Sequence, residues 1–507
     1  MLMGRAIGLA ALLLSGAVGQ GAATRDQDAN ALGPEAFFGL TNLYEFHLKI
    51  EPDQWARMET YAPANPSAEG RPGFGGPGPG GRPGGPPMMD INFQEGRATL
   101  EFQGRLWGDI QVRFKGNSSF NAARHSLKRS FKLDFNDLED GATFFGMTKL
   151  NLNNNAMDPV QMREALAYEV ARQAGLPASR TAFAKVFITV PGRHNRHYAG
   201  LYTVVEQVDE RFLKSRFATK QGLLLKPERT QGLPYLGDDW QAYTNRLEPK
   251  TKVKAAEAER FIKFARLLNQ AAEDAFHAQA AGYMDVEEFL RFLAVQTVLA
   301  NLDSPLLTGH NYYLYVPPLG GKMVWIPWDL NETFGGFMGG GDATQQADLS
   351  IDRSFAPGNR LAERVLAMPG AKKKYHEIMR GLITTNFTTA RMTALIEAIS
   401  AVIVPALKED LTVSPAYFQK GLSGDSTGKT ETDVRQPFPP PGPGGRQRPA
   451  LKPFVTNRVE SIEKQLAGQS TGYEPQMTRP PGMGGPGPAG GPGFGPRPFF
   501  PQPPRER

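Results

Sequence analysis

The chain changes its hydrophobic period once, and that change constrains its fold more than any other feature. In the first half apolar residues recur every second position. "LYEFHLKIEP" (43–52), "ATLEFQG", "GDIQVRFKG" up to residue 116 and "RSFKLDFN" (129–136) each predict a strand. "FAKVFITV" and "AGLYTVVEQVD" predict a hairpin, and "GLLLKPE" one more strand. A single helix interrupts them, "PVQMREALAYEVARQAG", opened by Pro159 and stopped by Gly175, with Leu166, Val170 and Ala174 on one stripe. After residue 253 the period turns helical: 253–281, 286–301, near 360–383, 387–404 and 454–468. Between the second and third of these helices lie two apolar strands in "HNYYLYVPPLGGKMVWIPWDLNETFGG" (310–336). A strand-rich N-terminal half followed by a helix-rich C-terminal half is an α+β pattern, with a site expected between the halves.

Three Pro/Gly-rich tracts bound what can fold. They occupy 63–88, the interval 421–452 around "QPFPPPGPGGRQRP", and the C-terminal tail from 469 to 507. Proline and glycine at this density, without a triplet period, cannot bury enough apolar surface to order themselves. At the N-terminus Arg5 precedes "AIGLAALLLSGAVGQGAA", so residues 1–23 are expected to be a secretory signal peptide. Its apolar core is too short for a stable membrane span. A domain over 24–468 remains, interrupted by the first two tracts. With no cysteine in 507 residues, disulfides, thiolate catalysis and cysteine metal sites are excluded. The net charge of +6 is modest, and much of it comes from arginines in the Pro/Gly tracts. It gives no ground for a nucleic acid polymer as partner.

HExxH, GxSxG and the P-loop lysine motif are missing, and the seven histidines are scattered. The polar residues with chemical promise stand at strand ends. Asp303 follows the 286–301 helix, Asn311 opens the apolar hairpin, and Asp329 closes it ahead of Gly335. Protein kinases use the same order: one carboxylate for the attacking hydroxyl, then an amide and a second carboxylate for magnesium. In "RFKGNSSFNAARHSLKRSFKLDF" (113–135) two strands flank small residues and lysines, the pattern of a hairpin that covers phosphates. Lys115, Asn117, Ser118 and Lys132 are its candidate contacts. Arg163 in the single helix, Glu206 at the end of "GLYTVVE" and Lys226 at the end of "LLLK" join the set as cleft-rim charges. Turn residues and rim salt bridges would leave the same local pattern at these positions.

Taken together, "FKGNSS…KRSFKLDF", "FFGMTKLNLNNNAMDPVQMREALAYEVARQAGLPASR", "YAGLYTVVEQVDERFL", "LLLKPE", "NLDS…HNYYLY" and "WIPWDLNETFGG" resemble, in this order, the spore coat protein H (CotH) family of atypical secreted kinases. The resemblance is clearest over 90–340. It implies a divergent protein-kinase-like fold that binds ATP with Mg2+ or Mn2+ and phosphorylates Ser or Thr of exported proteins. It implies Asp303 as the catalytic carboxylate and Asp329 as a metal ligand, with Asn311 as a second metal position. Either Lys132 with Glu206, or Lys226, would be the phosphate-holding group. Family members often carry an Asp two residues after the metal carboxylate; this chain has Asn331, a neutral oxygen donor. An inactive surface-binding or adhesin-like protein on the same fold, and AMP transfer in place of phosphate transfer, stay open.

Overall fold

The computed structural model describes residues 33–63, 91–424 and 448–475, apart from Arg229, Gln231, Leu319 and Met338. The expected signal peptide, most of the first two Pro/Gly tracts and residues 476–507 lie outside the described residues.

Among the described residues, nine strands come from the first half: β1 (Leu43–Lys49), β2 (Tyr61–Pro63), β3 (Ile91–Phe93), β4 (Glu95–Phe102), β5 (Arg105–Phe114), β6 (Phe131–Asp134), β7 (Lys149–Asn153), β8 (Thr181–Val190) and β9 (His194–Glu206). Seven of them close a barrel in the order β1-β4-β5-β6-β7-β9-β8, and β2 pairs with β3 in a separate two-stranded sheet. The pairings are antiparallel except at the seam, where β1 runs parallel to β8 with Phe46 opposite Val186. Alternation explains which face turns inward. In β5, Trp107, Ile110, Val112 and Phe114 are buried, and the residues between them are half-buried or exposed. Their side chains join Phe46, Phe102, Phe131 and Phe144 in an aromatic-rich core, in which Phe102 packs edge to face on Phe46 and Phe144 and Phe114 lies tilted against Phe131.

A second body follows. β10 (Leu223–Pro227), β11 (Leu247–Pro249), β12 (Tyr312–Val316) and β13 (Val324–Pro327) form a sheet in the order β11-β10-β12-β13. The apolar hairpin is β12–β13, with Leu314 opposite Trp325. Every residue of both strands is buried. Helices Ala255–Gln270, Val286–Val298, Ala371–Gly381, Thr389–Glu409 and Leu451–Leu466 share one apolar core with this sheet.

The helix Arg163–Gln173 packs its apolar residues into the core of the second body and also touches β8 of the barrel. Arg163 to Tyr168, Val170 and Ala171 are all buried. It begins four residues later than Pro159 predicts. The Asp158 carboxylate accepts from the backbone N–H groups of Val160, Met162 and Arg163 and holds that stretch as a turn. Two longer helices are also corrected. The 253–281 segment breaks at Ala271–Ala272, where Glu273 and Asp274 start a new first turn. The 360–383 segment breaks at Pro369–Gly370, where Gly370 is left-handed at φ +76°. The glycine- and serine-bearing link between β5 and β6 is not a bare turn but carries a short helix, Ser118–Ala123. Within the expected tail, residues 469–475 are described, and Tyr473 forms a parallel bridge with Leu349.

One helix among the described residues, Thr389–Glu409, is long and apolar enough by length and composition to cross a membrane. It packs Met392, Ile396, Ile399 and Ile403 into the main core.

Candidate active site

The outward face of β5–β6–β7 looks toward the second sheet. Arg113 is opposite Lys132, and Lys132 is opposite Asn151, while their strand neighbours point into the barrel. Lys115, just past the end of β5, shares this face. Its ammonium donates to Asn153 Oδ1 at 2.7 Å. The Asn153 amide nitrogen in turn donates to both oxygens of Glu164, at 3.0 and 2.8 Å. Lys115 and Glu164 are therefore bridged by an amide, and the ammonium also lies 5.6 Å from the centroid of the Trp328 ring.

Trp328 precedes Asp329, which follows β13. Asp329 is left-handed at φ 53° and so is Asn311 at φ 61°, a conformation that Asn and Asp adopt more readily than other residues with side chains. Two contacts impose it. The Asp329 N–H donates to the Tyr168 hydroxyl at 3.0 Å, and Tyr168 is one turn beyond Glu164 on the same helix. The Trp328 N–H donates to the Asn311 carbonyl at 3.2 Å, so the two ends of the hairpin are tied together. Asn311 Nδ2 donates to the Asp303 carbonyl at 2.8 Å and to its carboxylate at 3.0 Å. His310 Nε2 meets the other carboxylate oxygen of Asp303 at 2.9 Å.

These groups perturb one another. Burial pushes the Glu164 carboxyl up to about 7, reinforced by the nearby Asp329 charge. Burial also raises Asp329, against the pull of Lys115, and lowers the Lys115 ammonium, against the pull of Asp329 and Glu164. Lys132 falls to about 7 through burial first, then through Arg113, Lys149, Lys250 and Lys115. Despite burial, Asp303 keeps the His310 imidazole above its ordinary value.

The sequence-derived candidates divide into two groups. Lys115, Asp303, Asn311 and Asp329 converge, and Lys132 faces the same space. Lys226 lies on β10 and pairs with Glu228 at 2.5 Å; burial works against its charge, and Glu228 keeps it above its ordinary range. Glu206 pairs with neither Lys132 nor Lys226. Its carboxylate is bound by Arg180, at 3.0 Å from Nε and again through Nη2, and by Arg216 at 3.0 Å. Arg163 is fully buried, bound to Asp158 at 2.6 Å and to the Pro449 carbonyl, so its charge does not face the cleft. The Asn117 amide oxygen accepts from the Ile91 N–H at 3.2 Å, and Ser118 begins the short helix; the first contact ties β3 to the barrel. Asn331 lies in a single 3-10 turn after Asp329, its carbonyl taken by Arg448.

Sequence reasoning missed Glu164, Asn153, Tyr168 and His310. A signal existed for Glu164: it stands in a helix buried nearly all round, where an acid has no solvent face and needs a partner.

The donors around Asp329 suit a hard cation. Among the described residues no side-chain hydrogen bond or ion pair ends on its carboxylate, and the Asn311 amide oxygen is not used in holding Asp303. No group of three His, Cys, Asp or Glu side chains with metal-binding placement occurs among the described residues.

The CotH kinase protein family model matches residues 112–436, and the chain belongs to this family. Inner spore coat protein H of Bacillus subtilis is 25% identical over 305 residues, covering 60% of this chain and 78% of that protein. Invasin CotH7 of Rhizopus delemar is 21% identical over 268 residues, covering 50% of this chain and 42% of that one. The HipA–HipB–operator DNA complex of Shewanella oneidensis MR-1 aligns at 12% identity and a TM-score of 0.24, over 62% of this chain and 57% of that one. This last likeness is too slight to bear on the fold.

Proposed function

We propose that the chain is an exported protein kinase of a divergent kinase-like fold, spanning about 24–468, that transfers the γ-phosphate of ATP to Ser or Thr of secreted or envelope proteins. One observation carries the reading. Lys115, bridged through Asn153 to Glu164, and Asp329, held by Tyr168 of the same helix, meet opposite an Asp303 that is fixed by Asn311 and His310. Phosphoryl transfer asks a protein for little beyond this: cations on the phosphates, a metal carboxylate, and a positioned acceptor for the hydroxyl proton.

In this reading Lys115 and Lys132 hold the nucleotide phosphates, with Lys226 at the opposite wall. Asp303 orients the substrate hydroxyl and takes its proton. His310 and Asn311 hold the Asp303 carboxylate in one rotamer, so little reorganisation is needed at the moment of transfer. Asp329, with the amide oxygens of Asn311 and Asn331, would hold Mg2+ or Mn2+, which offsets charge on the phosphates when bound. Residues 1–23 and the coat and invasin names of the two relatives support a site of action outside the cytoplasm.

Asp303→Ala and Asp329→Ala are expected to reduce phosphate incorporation from labelled ATP by at least about 10³-fold while unfolding as the parent does. Undiminished transfer by both variants would remove the assignment. The relatives' names favour a second reading, a surface protein without catalysis. Under it, ATP with Mg2+ or Mn2+ leaves the thermal midpoint unchanged. The mass added to the protein's own hydroxyls, one phosphate or one AMP, separates kinase from AMP transferase.

A further inference from the structure

The glycine pair that follows Asp329 has a structural cause outside the matched family span. A Cβ at Gly335 would stand 2.7 Å from the Phe454 ring and 3.0 Å from Pro449, and one at Gly336 would stand 2.5 Å from Arg448 Nη1. The backbone of the turn after the metal carboxylate is thus pressed against the segment 448–454. Arg448 donates from Nη1 to the Asn331 carbonyl at 3.0 Å and from Nη2 to the Glu332 carboxylate. Both partners of that ion pair are largely buried, with 8% and 13% of their side chains exposed. One residue further on, the Pro449 carbonyl accepts from Arg163, the helix residue next to Glu164. Arg163 is itself locked by Asp158. The same short strap therefore grips the turn that carries Asp329 and the N-terminus of the helix that carries Glu164.

We propose that Arg448 is a positioning residue for phosphoryl transfer and that the strap 448–454 completes the active site. The idea rests on the kinase reading for its activity arm only. Arg448 touches no reacting atom; it acts by fixing Asn331 and Glu332, and through them the left-handed Asp329. A planar guanidinium is required because two acceptors are bound at once, a carbonyl and a carboxylate. A lysine can serve one of them.

The test compares the full chain with Arg448→Met and Arg448→Lys. In Arg448→Met, kcat for phosphate transfer is expected to fall about 10- to 100-fold, with KM for ATP changed less than about threefold, since a displaced metal carboxylate costs turnover more than phosphate grip. Arg448→Lys should recover part of the loss. Independently of any activity, amide hydrogen exchange in Arg448→Met should rise at least about tenfold at 329–336 and at 163–166, with β8 and β4 protected as before. Unchanged exchange at both places, or exchange raised evenly through the chain, would overturn the proposal. If the parent protein transfers no phosphate, the kinase reading fails while the exchange result still decides the role of the strap.

Discussion

Two buried charge clusters flank the barrel, and they are built on opposite principles. Around Glu206, every charge has found a geometric complement: Arg180 binds it from the backbone N–H, Nε and Nη2, and Arg216 adds a third side-chain donor. Although burial works against its charge, Arg180 is held above its ordinary range by this carboxylate. Around Asp329 the complement is withheld. Lys115 is spent on an amide, Glu164 is pushed toward neutrality, and the Asp329 carboxylate, without a side-chain partner among the described residues, has a like charge, Asp303, nearby. The first arrangement is scaffold, since a satisfied ion pair has nothing left to offer a ligand. The second holds groups whose protonation burial disfavours, and on the proposed kinase reading a phosphate group beside Lys115 and a cation beside Asp329 would restore their charged forms.

The contrast can be broken at its satisfied end. Arg180→Met leaves Glu206 in a pocket where its own side chain is only 6% exposed, and should cost about 3–5 kcal/mol in denaturant unfolding. Phosphate transfer by the fraction that remains folded should stay near the parent rate. A loss under about 1 kcal/mol would mean that Glu206 is not a structural charge. At the frustrated end, Glu164→Gln is expected to behave the other way round. Stability should hold or rise slightly near pH 8, because the buried ionised form is no longer required. Transfer should fall by about 10- to 100-fold, as Asn153 and Lys115 lose their anchor. Equal losses of stability and activity in both variants would erase the distinction.

How much of this was legible in the sequence follows from the range of each interaction. Strands β1, β4 to β6, β8 to β10 and the β12–β13 hairpin are local patterns and legible in the period of the sequence, whereas the short β7, Lys149–Asn153, has too little alternation amid its asparagines to be read as a strand. Barrel closure was not legible either, because the parallel contact of β1 with β8 joins residues far apart and leaves no mark on the period of either strand. Partner choice failed for the same reason. Glu206 looks like a cleft rim charge until Arg180, 26 residues upstream, folds onto it. Arg163 drew attention as the charge of its helix, yet Asp158 and Pro449 consume it, and its neighbour Glu164 faces the lysine. Gly335 and Gly336 are legible only as a glycine pair after Asp329, because their small size answers to Phe454 and Arg448 more than a hundred residues later.

The smallest expected effect tests whether the cationic face is waiting for an anion. Lys132 makes no hydrogen bond or ion pair through its ammonium among the described residues, whereas Lys149 has Asp134 and Lys250 has Glu248. Its folded-state value is about 7 against an ordinary 10.5, depressed by burial and by Arg113, Lys149, Lys250 and Lys115. The neutral amine therefore suits the folded protein better than the ammonium. Its contribution to stability is present above the unfolded value and is lost as pH falls through the folded one. Relative to Lys132→Met, the parent should lose stability as pH drops from about 10.5 toward 7, by one to a few kcal/mol, and run parallel below that. Excess pyrophosphate should flatten the difference, since a bound polyanion restores the ammonium and draws in a proton. Urea unfolding at pH 7, 8 and 9, with and without pyrophosphate, measures both effects. Parallel curves for the two proteins across that range would show that the four surrounding cations do not press on Lys132, and the β5–β6 face would then be a solvated surface like any other.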